Sequence, residues 1–282
     1  METTTFRAGP LCYRRVGDGP RALVLLHGLA SNGTRWSEYA RASRLTEDWC
    51  ILTPDLRGMG LAVSRDRIDS DVWIADLLAI LNREGIARCV IGGHCLGANL
   101  AARFALAHPD RVEGLILIEP FIPDIVPSSL GRLARVRWIL RPIAALARAL
   151  NALGVYRRSL PVLNLERLDR KTRHKLAQGA GREILMKRYG SPRHDLRYMP
   201  VSSYLQALDE TLRSPPDWDG LTMPTLVILS SGNRFGAAAD ARARLAGIQA
   251  ASVVEIASDH WIHAERPAEL RQAIDSWVSP AS

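Results

Sequence analysis

The chain has 282 residues, of which 47% are hydrophobic and 23% are charged. A chain of this size and composition can bury a large core within one catalytic domain. Its first residues, METTTFR, lack the charged and then apolar pattern of a signal peptide. No apolar run approaches the roughly 20 residues needed to span a bilayer. These features predict a cytoplasmic protein with no membrane span.

The formal net charge of +8 is unevenly distributed. The segment from Gly131 to Pro200 holds seventeen lysines and arginines and four acidic residues. Its net charge is therefore +13, and that of the rest of the chain is −5. The same segment contains two helical patterns, at Ile143 to Leu153 and at Arg173 to Met186. We therefore expect an inserted, basic helical cap.

Strands and helices alternate on both sides of this basic segment. Strands are predicted at residues 4–7, 11–15, 22–26, 50–53, 89–92, 114–118, 225–229 and 252–256. Helices are predicted at residues 37–45, 72–84, 98–106, 238–245 and 267–277. Such alternation favours a mostly parallel sheet with helices on both faces.

Four cysteines occur in the chain, without a zinc-like spacing or a Cys-x-x-Cys pair. Disulfides, a metal and any other cofactor are therefore not expected. Cys50 and Cys89 each begin a predicted strand, which is typical of small buried hydrophobic residues. Cys95 alone lies in a turn that would expose its thiol.

That turn reads Gly-His-Cys-Leu-Gly over residues 93–97, directly between a predicted strand and a predicted helix. A sharp strand-to-helix turn of this kind is a nucleophile elbow, which holds its central side chain above the sheet. Serine is usual at the centre, whereas this chain has Cys95. We interpret Cys95 as a nucleophile.

Four landmarks in the same order make the chain resemble the α/β-hydrolase family between about Leu23 and Trp277. They are His27-Gly28, the stretch from Asp55 to Gly60, the elbow at Cys95, and Asp259-His260-Trp261 followed by Glu265-Arg266-Pro267. The resemblance implies an α/β-hydrolase fold. Its core would comprise residues 1–120 and 214–282, with the helical cap at residues 121–213.

The resemblance also implies a base and an orienting residue. His260 occupies the family's position for the base, and His263 is the alternative. Asn233 aligns with the family's acid, and a neutral amide can suffice beside a thiol, as in Cys-His-Asn proteases. The alternative third residue is Glu119, at the end of a predicted strand.

Further roles follow from the same resemblance. The backbone N–H groups of Leu29 and Leu96 are expected to stabilise an oxyanion. Substrate contacts are predicted for four side chains, namely His27, His94, Trp36 and Trp261, with a core position as the alternative for Trp36. The stretch from Asp55 to Gly60 is assigned no chemistry, and Asp55 and Arg57 are expected to hold loops together.

A thiol nucleophile favours acyl chemistry on activated substrates, because exchange between thioesters is nearly isoenergetic. We therefore expect acyl transfer, cyclisation or thioester hydrolysis through an acyl-Cys95 intermediate. The donor would be a small acyl substrate, carried by coenzyme A or an acidic carrier protein that the basic cap attracts. Nucleic acid is not an expected partner, because no binding motif accompanies the positive charge.

Three alternatives remain open at this point. The protein could be a simple hydrolase of esters or lactones, a cofactor-free lyase, or a ligand-binding relative without catalysis. The basic and apolar stretch from Arg132 to Leu140 could also rest on an anionic membrane or dock a partner helix.

Overall fold

A computed structural model describes residues 3–126, 128–232 and 235–279, and it contains one eight-stranded sheet. The strands are β1 (Thr4–Ala8), β2 (Leu11–Val16), β3 (Arg21–Leu26), β4 (Trp49–Asp55), β5 (Cys89–His94), β6 (Val112–Ile118), β7 (Thr225–Ser230) and β8 (Ala251–Ile256). All eight predicted strands are therefore confirmed, with ends that differ by no more than two residues.

The α-helices alternate with the later strands and also fill the long segment between β6 and β7. They are α1 (Ser37–Ala42), α2 (Ser70–Arg83), α3 (Leu96–Ala107), α4 (Ser128–Arg135), α5 (Leu140–Ala152), α6 (Leu165–Ala177), α7 (Glu183–Tyr189), α8 (Pro192–Asp195), α9 (Val201–Thr211), α10 (Ala238–Leu245), α11 (Ile262–Glu265) and α12 (Pro267–Val278). We call α4 to α9 the cap helices; the exact limits of a cap domain stay a prediction.

The sheet order is β1-β2-β4-β3-β5-β6-β7-β8. The β1–β2 and β2–β4 pairs are antiparallel, and every later pair is parallel. Because β5, β6 and β7 are parallel neighbours, their carboxyl ends lie at one edge of the sheet. Loops at such an edge are the usual place for a site in this architecture.

The core consists of two apolar layers, one on each face of the sheet. Along β3, Val24 and Leu26 face the layer that contains α2 and α3, whereas Leu23 and Leu25 face the layer that contains α12. This division follows the two-residue period of a strand. Nearly every position of β3 is therefore apolar, as expected for a strand covered on both faces.

The predicted helix from Arg173 to Met186 is wrong as one continuous element. The chain leaves helical geometry after Ala177, and α7 begins only at Glu183. Gly179 between them has a φ of +88°, a conformation that glycine adopts at little cost and that commonly ends a helix. The apolar pattern continues across the break, so periodicity alone did not reveal it.

Asp55 lies at the end of β4 and holds three segments together. Its buried carboxylate accepts hydrogen bonds from Arg14 Nη1, from the Gly33 N–H and from the Leu61 N–H, each at 2.7 Å. Arg57 forms an ion pair with Asp76 on α2. The structural roles predicted for Asp55 and Arg57 are therefore confirmed.

We expect Asp55→Ala to lower the free energy of unfolding by about 3 to 5 kcal/mol, because it leaves the buried Arg14 guanidinium without its partner. Urea denaturation followed by circular dichroism measures this change. Asp18→Ala is the matched control, since the Asp18 side chain is 97% exposed although it also pairs with an arginine. Equal effects of the two substitutions would contradict the role given to Asp55.

Candidate active site

The tight turn between β5 and α3 places Cys95 at its apex. Cys95 has a φ of +56° and a ψ of −115°, a conformation that a side chain other than glycine adopts only under strain. A Cβ on Gly93 would lie 2.5 Å from the Gly97 carbonyl carbon, and one on Gly97 would lie 2.7 Å from the His27 oxygen. Both positions therefore require glycine, as the elbow interpretation predicted.

Cys95 lies at the wall of a cavity of about 520 Å³. Cys95 is 9% exposed, and its side chain packs against Phe121 and Leu212. The remaining cysteines are buried free thiols, and burial raises the pKa of Cys12 to about 11 and that of Cys89 to about 12. Of the four thiols, Cys95 is the one that borders the cavity.

His260 follows β8 and lies beside Cys95 at the same cavity. The Nδ1 atom of His260 lies 3.0 Å from Glu119 Oε2, and both side chains are largely buried. The other oxygen of that carboxylate, Oε1, accepts a hydrogen bond of 2.6 Å from the Ser230 N–H. A carboxylate accepts only, so His260 Nδ1 donates this bond and its Nε2 is the nitrogen available to Cys95.

Glu119 is fixed in place by its backbone as well as by its side chain. Its φ is +49°, and its N–H donates to the Ile228 oxygen at 2.9 Å. The carboxylate therefore reaches across from the end of β6 to the end of β7. Asn233, the other candidate for the third position, lies outside the described residues.

The electrostatics favour a charged imidazole at His260. Burial alone would lower the pKa of His260. The interactions of the imidazolium with Cys95 and with Glu119 outweigh burial and raise this pKa to about 9. Because the folded value lies above the usual one, the imidazolium is favoured at neutral pH and is lost as the pH rises through about 9. This arrangement suits a thiolate and imidazolium pair.

His94, next to the nucleophile, holds the loop that carries His260. Its Nε2 donates to the His260 carbonyl oxygen at 2.8 Å. Burial and the neighbouring His260 keep the pKa of His94 well below its usual value. His94 is therefore neutral and acts on His260 through the backbone, while its ring borders the cavity.

His263, the alternative base, lies behind His94. The two ring centroids are 4.6 Å apart, and the cavity lining includes His94 and His260 but not His263. Burial holds the pKa of His263 well below its usual value. The geometry therefore supports His260 rather than His263 as the group that exchanges a proton with Cys95.

Two of the four side chains predicted to contact substrate do not border the cavity. His27 is fully buried, with its ring nitrogens bound to the Gly28 oxygen at 2.8 Å and to the Leu56 N–H at 3.0 Å, and burial lowers its pKa to about 4. Trp36 is fully buried in the apolar layer with Leu23 and Leu25. His94 and Trp261 do line the cavity.

The two predicted oxyanion donors lie on either side of the elbow. Leu96 is the first residue of α3, so its N–H has no acceptor within the helix. A Cβ on Gly28 would lie 3.4 Å from Cys95 Cβ, which brings the loop at Gly28 and Leu29 against the nucleophile. Leu29 also borders the cavity.

Sequence reasoning missed two residues of the cavity wall, Tyr189 and Asp195, and the buried Asp169 that bonds to Tyr189. Asp169 on α6 accepts from Arg35 Nη1 at 2.5 Å and from the Tyr189 hydroxyl at 2.7 Å. This buried pair fastens the cap helices to the loop before α1. Asp195 on α8 also lines the cavity, and burial raises its pKa to about 7. Arg35 and Asp169 are 134 residues apart, and no local pattern marks their pairing.

Glu119→Gln should lower the pKa of His260 toward its ordinary value, because the amide keeps the shape but loses the negative charge that stabilises the imidazolium. A pH titration of the His260 ring protons by NMR measures this shift. Glu113→Gln is the matched control, since Glu113 is an exposed residue of the same strand. An unchanged His260 titration in Glu119→Gln would show that another group orients the ring.

Comparison with known proteins agrees with this architecture. The sn-1-specific diacylglycerol lipase ABHD11 of Mus musculus is 24% identical over an alignment that covers 99% of this chain and 88% of the lipase. An enol-lactonase from Burkholderia xenovorans LB400 has a similar fold, with a TM-score of 0.68 at 18% identity over 98% of this chain and 99% of that one. A thermophilic esterase from Thermogutta terrifontis has a TM-score of 0.64 at 21% identity over 99% and 98% of the two chains.

A family model covers most of the chain. The model described as the alpha/beta hydrolase family matches residues 23–273. This range takes in the elbow, the cap helices and the His260 loop. The chain belongs to the α/β hydrolase family.

Proposed function

We propose that the protein hydrolyses activated acyl esters, including thioesters and strained lactones, through a covalent intermediate on Cys95. The observation that carries this proposal is the line of side chains at the wall of an apolar cavity, in which Glu119 hydrogen-bonds to His260 and His260 interacts with Cys95. Such a line supplies a nucleophile, a proton carrier and a group that orients the carrier.

In the first step, the Cys95 thiolate attacks the carbonyl carbon of the substrate. The carbonyl oxygen becomes an oxyanion, which the N–H groups of Leu29 and Leu96 stabilise. The intermediate then collapses, the bond to the leaving group breaks, and the His260 imidazolium donates its Nε2 proton to that group. The acyl group is left on sulfur as a thioester.

In the second step, neutral His260 removes a proton from water, and the hydroxide attacks the acyl-sulfur carbon. The oxyanion forms again, the carbon–sulfur bond breaks, and the carboxylic acid leaves. Cys95 returns as a thiolate beside the imidazolium. The Glu119 carboxylate stabilises the imidazolium throughout and keeps Nε2 directed at sulfur and water.

The thiol restricts the substrate. A tetrahedral intermediate on Cys95 expels a thiolate more readily than an ordinary alkoxide, so attack on an unactivated ester tends to reverse. Thioesters, enol esters and strained lactones avoid this problem because their leaving groups are better or their rings release strain. The cavity volume of about 520 Å³ lies in the usual range for small-molecule sites.

Hydrolysis is supported above transfer by the similar proteins, which are a lipase, an enol-lactonase and an esterase. Acyl transfer is the second candidate, and the specific observation in its favour is the sulfur at residue 95. An acyl-thioester remains reactive toward amines and alcohols. A donor on coenzyme A or an acidic carrier protein would suit the positive charge of the cap helices.

Cys95→Ala and His260→Ala should each lower the rate of acid release from an acyl thioester or enol ester by about 10⁴-fold or more. The reason is that nucleophile and proton carrier act together, so the loss of either one disables catalysis. A panel of acyl thioesters, enol esters and lactones of different chain length provides the substrates. His174→Ala is the matched control, since His174 is an exposed residue of α6. Thermal unfolding of each variant checks that the fold is retained.

Other outcomes distinguish the alternatives. Activity that survives Cys95→Ala but is lost in His260→Ala would contradict covalent catalysis and favour a lyase. No turnover of any substrate would favour a ligand-binding relative. Added hydroxylamine separates transfer from hydrolysis, because a transferase gives mainly the hydroxamate and a strict hydrolase gives mainly the free acid.

A further inference from the structure

A row of apolar side chains along α5 and the turns at its two ends faces solvent. We call it the apolar stripe, and it consists of Trp138, Ile139, Ile143, Leu146, Leu150 and Leu153. Trp138 is 66% exposed, Leu146 is 61% exposed and Leu153 is 79% exposed. From Ile139 onward the residues recur at intervals of four and three, which places them on one side of α5.

The opposite side of α5 is packed against the protein. Ala144 is buried, and Leu140 contacts the apolar cluster that contains Cys95 and Phe121. Arg137 and Arg141 form ion pairs with Asp209 of α9. The inner side of α5 is therefore held by apolar packing and ion pairs. The exposure of the apolar stripe does not result from a loosely attached helix.

The chain segment that carries the apolar stripe has charge of one sign. No acidic residue occurs between Asp124 and Glu166, whereas seven arginines do. Arg132, Arg135 and Arg158 are exposed. Exposed leucines on one helix side and a nearby exposed tryptophan, in a segment whose charged residues are all arginines, are the pattern of helices that lie in the interface of a bilayer.

We propose that the apolar stripe and its neighbouring arginines bind the surface of an anionic lipid bilayer. The leucines and Trp138 enter the boundary between headgroups and acyl chains, and the arginines contact the lipid phosphates. Within the described residues no helix is long and apolar enough to cross a membrane. Helix α5 has 13 residues, which is about 20 Å of helix and suits an orientation along the surface.

A second copy of the chain is a poorer occupant. A symmetric dimer would place the same surface of both copies face to face. Because the segment that carries the apolar stripe holds seven arginines and no acidic residue, the contact would bring like charges together. Anionic headgroups complement the arginines and the apolar stripe at the same time.

The proposed surface is connected to the cavity. Leu133 of α4 lines the cavity, and both Leu133 and Ala134 pack against the cluster around Cys95. Binding at the apolar stripe would thus hold the wall of the cavity near the source of an amphiphilic substrate. The binding itself does not depend on the proposed catalysis, and its test uses no turnover.

The test is flotation of the full chain with vesicles of phosphatidylcholine alone and of phosphatidylcholine with 30 mol% phosphatidylglycerol, roughly the anionic content that recruits basic helices. We expect the chain to float with the anionic vesicles and only weakly with the neutral ones, and the bound fraction to fall in high salt. Leu146→Gln with Leu153→Gln should reduce partitioning about ten-fold. Arg135→Gln with Arg158→Gln should remove the preference for anionic lipid.

Matched controls lie outside the cap helices. Val253→Gln changes an exposed apolar residue of β8, and Arg242→Gln changes an exposed arginine of α10; both should bind like the unchanged protein. Equal partitioning of all variants, or no flotation with anionic vesicles, would overturn the proposal. A dimer in sedimentation velocity that Leu153→Gln dissociates, without vesicle binding, would overturn it in favour of a second copy.

Discussion

The hydrogen bond between Glu119 and His260 is the interaction on which the rest of the site depends. It joins the end of β6 to the loop after β8, and the Ser230 N–H extends it to the end of β7. Parallel strands in the order β5-β6-β7-β8 bring these ends to the same edge of the sheet as Cys95. A carboxylate at this position stabilises a charged imidazole, and a charged imidazole can stabilise a thiolate. The fold therefore sets the electrostatics before any substrate is present.

Much of the fold was predictable because its signals are local. Apolar runs marked the buried strands β3 to β7, and the glycines around Cys95 marked the elbow. The break between α6 and α7 was not predicted, because Gly179 interrupts a helix whose apolar pattern continues. Long-range partners were the least visible. Arg35 and Asp169 are separated by 134 residues, and nothing near either residue indicates the pairing.

The site was predictable only in part, because some of its residues lie in local motifs and others are brought in by long-range contacts. Cys95 and His260 each lie within a recognisable local motif, and the structure brings them together. Glu119 could be named only as the alternative to Asn233, since strand pairing decides which side chain reaches the ring. His27 and Trp36 were assigned to substrate because they lie near the oxyanion loop in sequence. Both side chains point into the protein instead, and proximity in sequence does not specify side-chain direction.

A sulfur nucleophile on a hydrolase fold is the central claim, and it is tested most directly by trapping the intermediate. The protein is mixed with a short-chain acyl thioester at neutral pH, quenched in acid within milliseconds, and examined by intact mass and peptide fragmentation. We expect one acyl group per chain, carried by Cys95 and absent from Cys95→Ala although that variant keeps its three other thiols. Substrate turnover without any adduct, or an adduct on another residue, would contradict it.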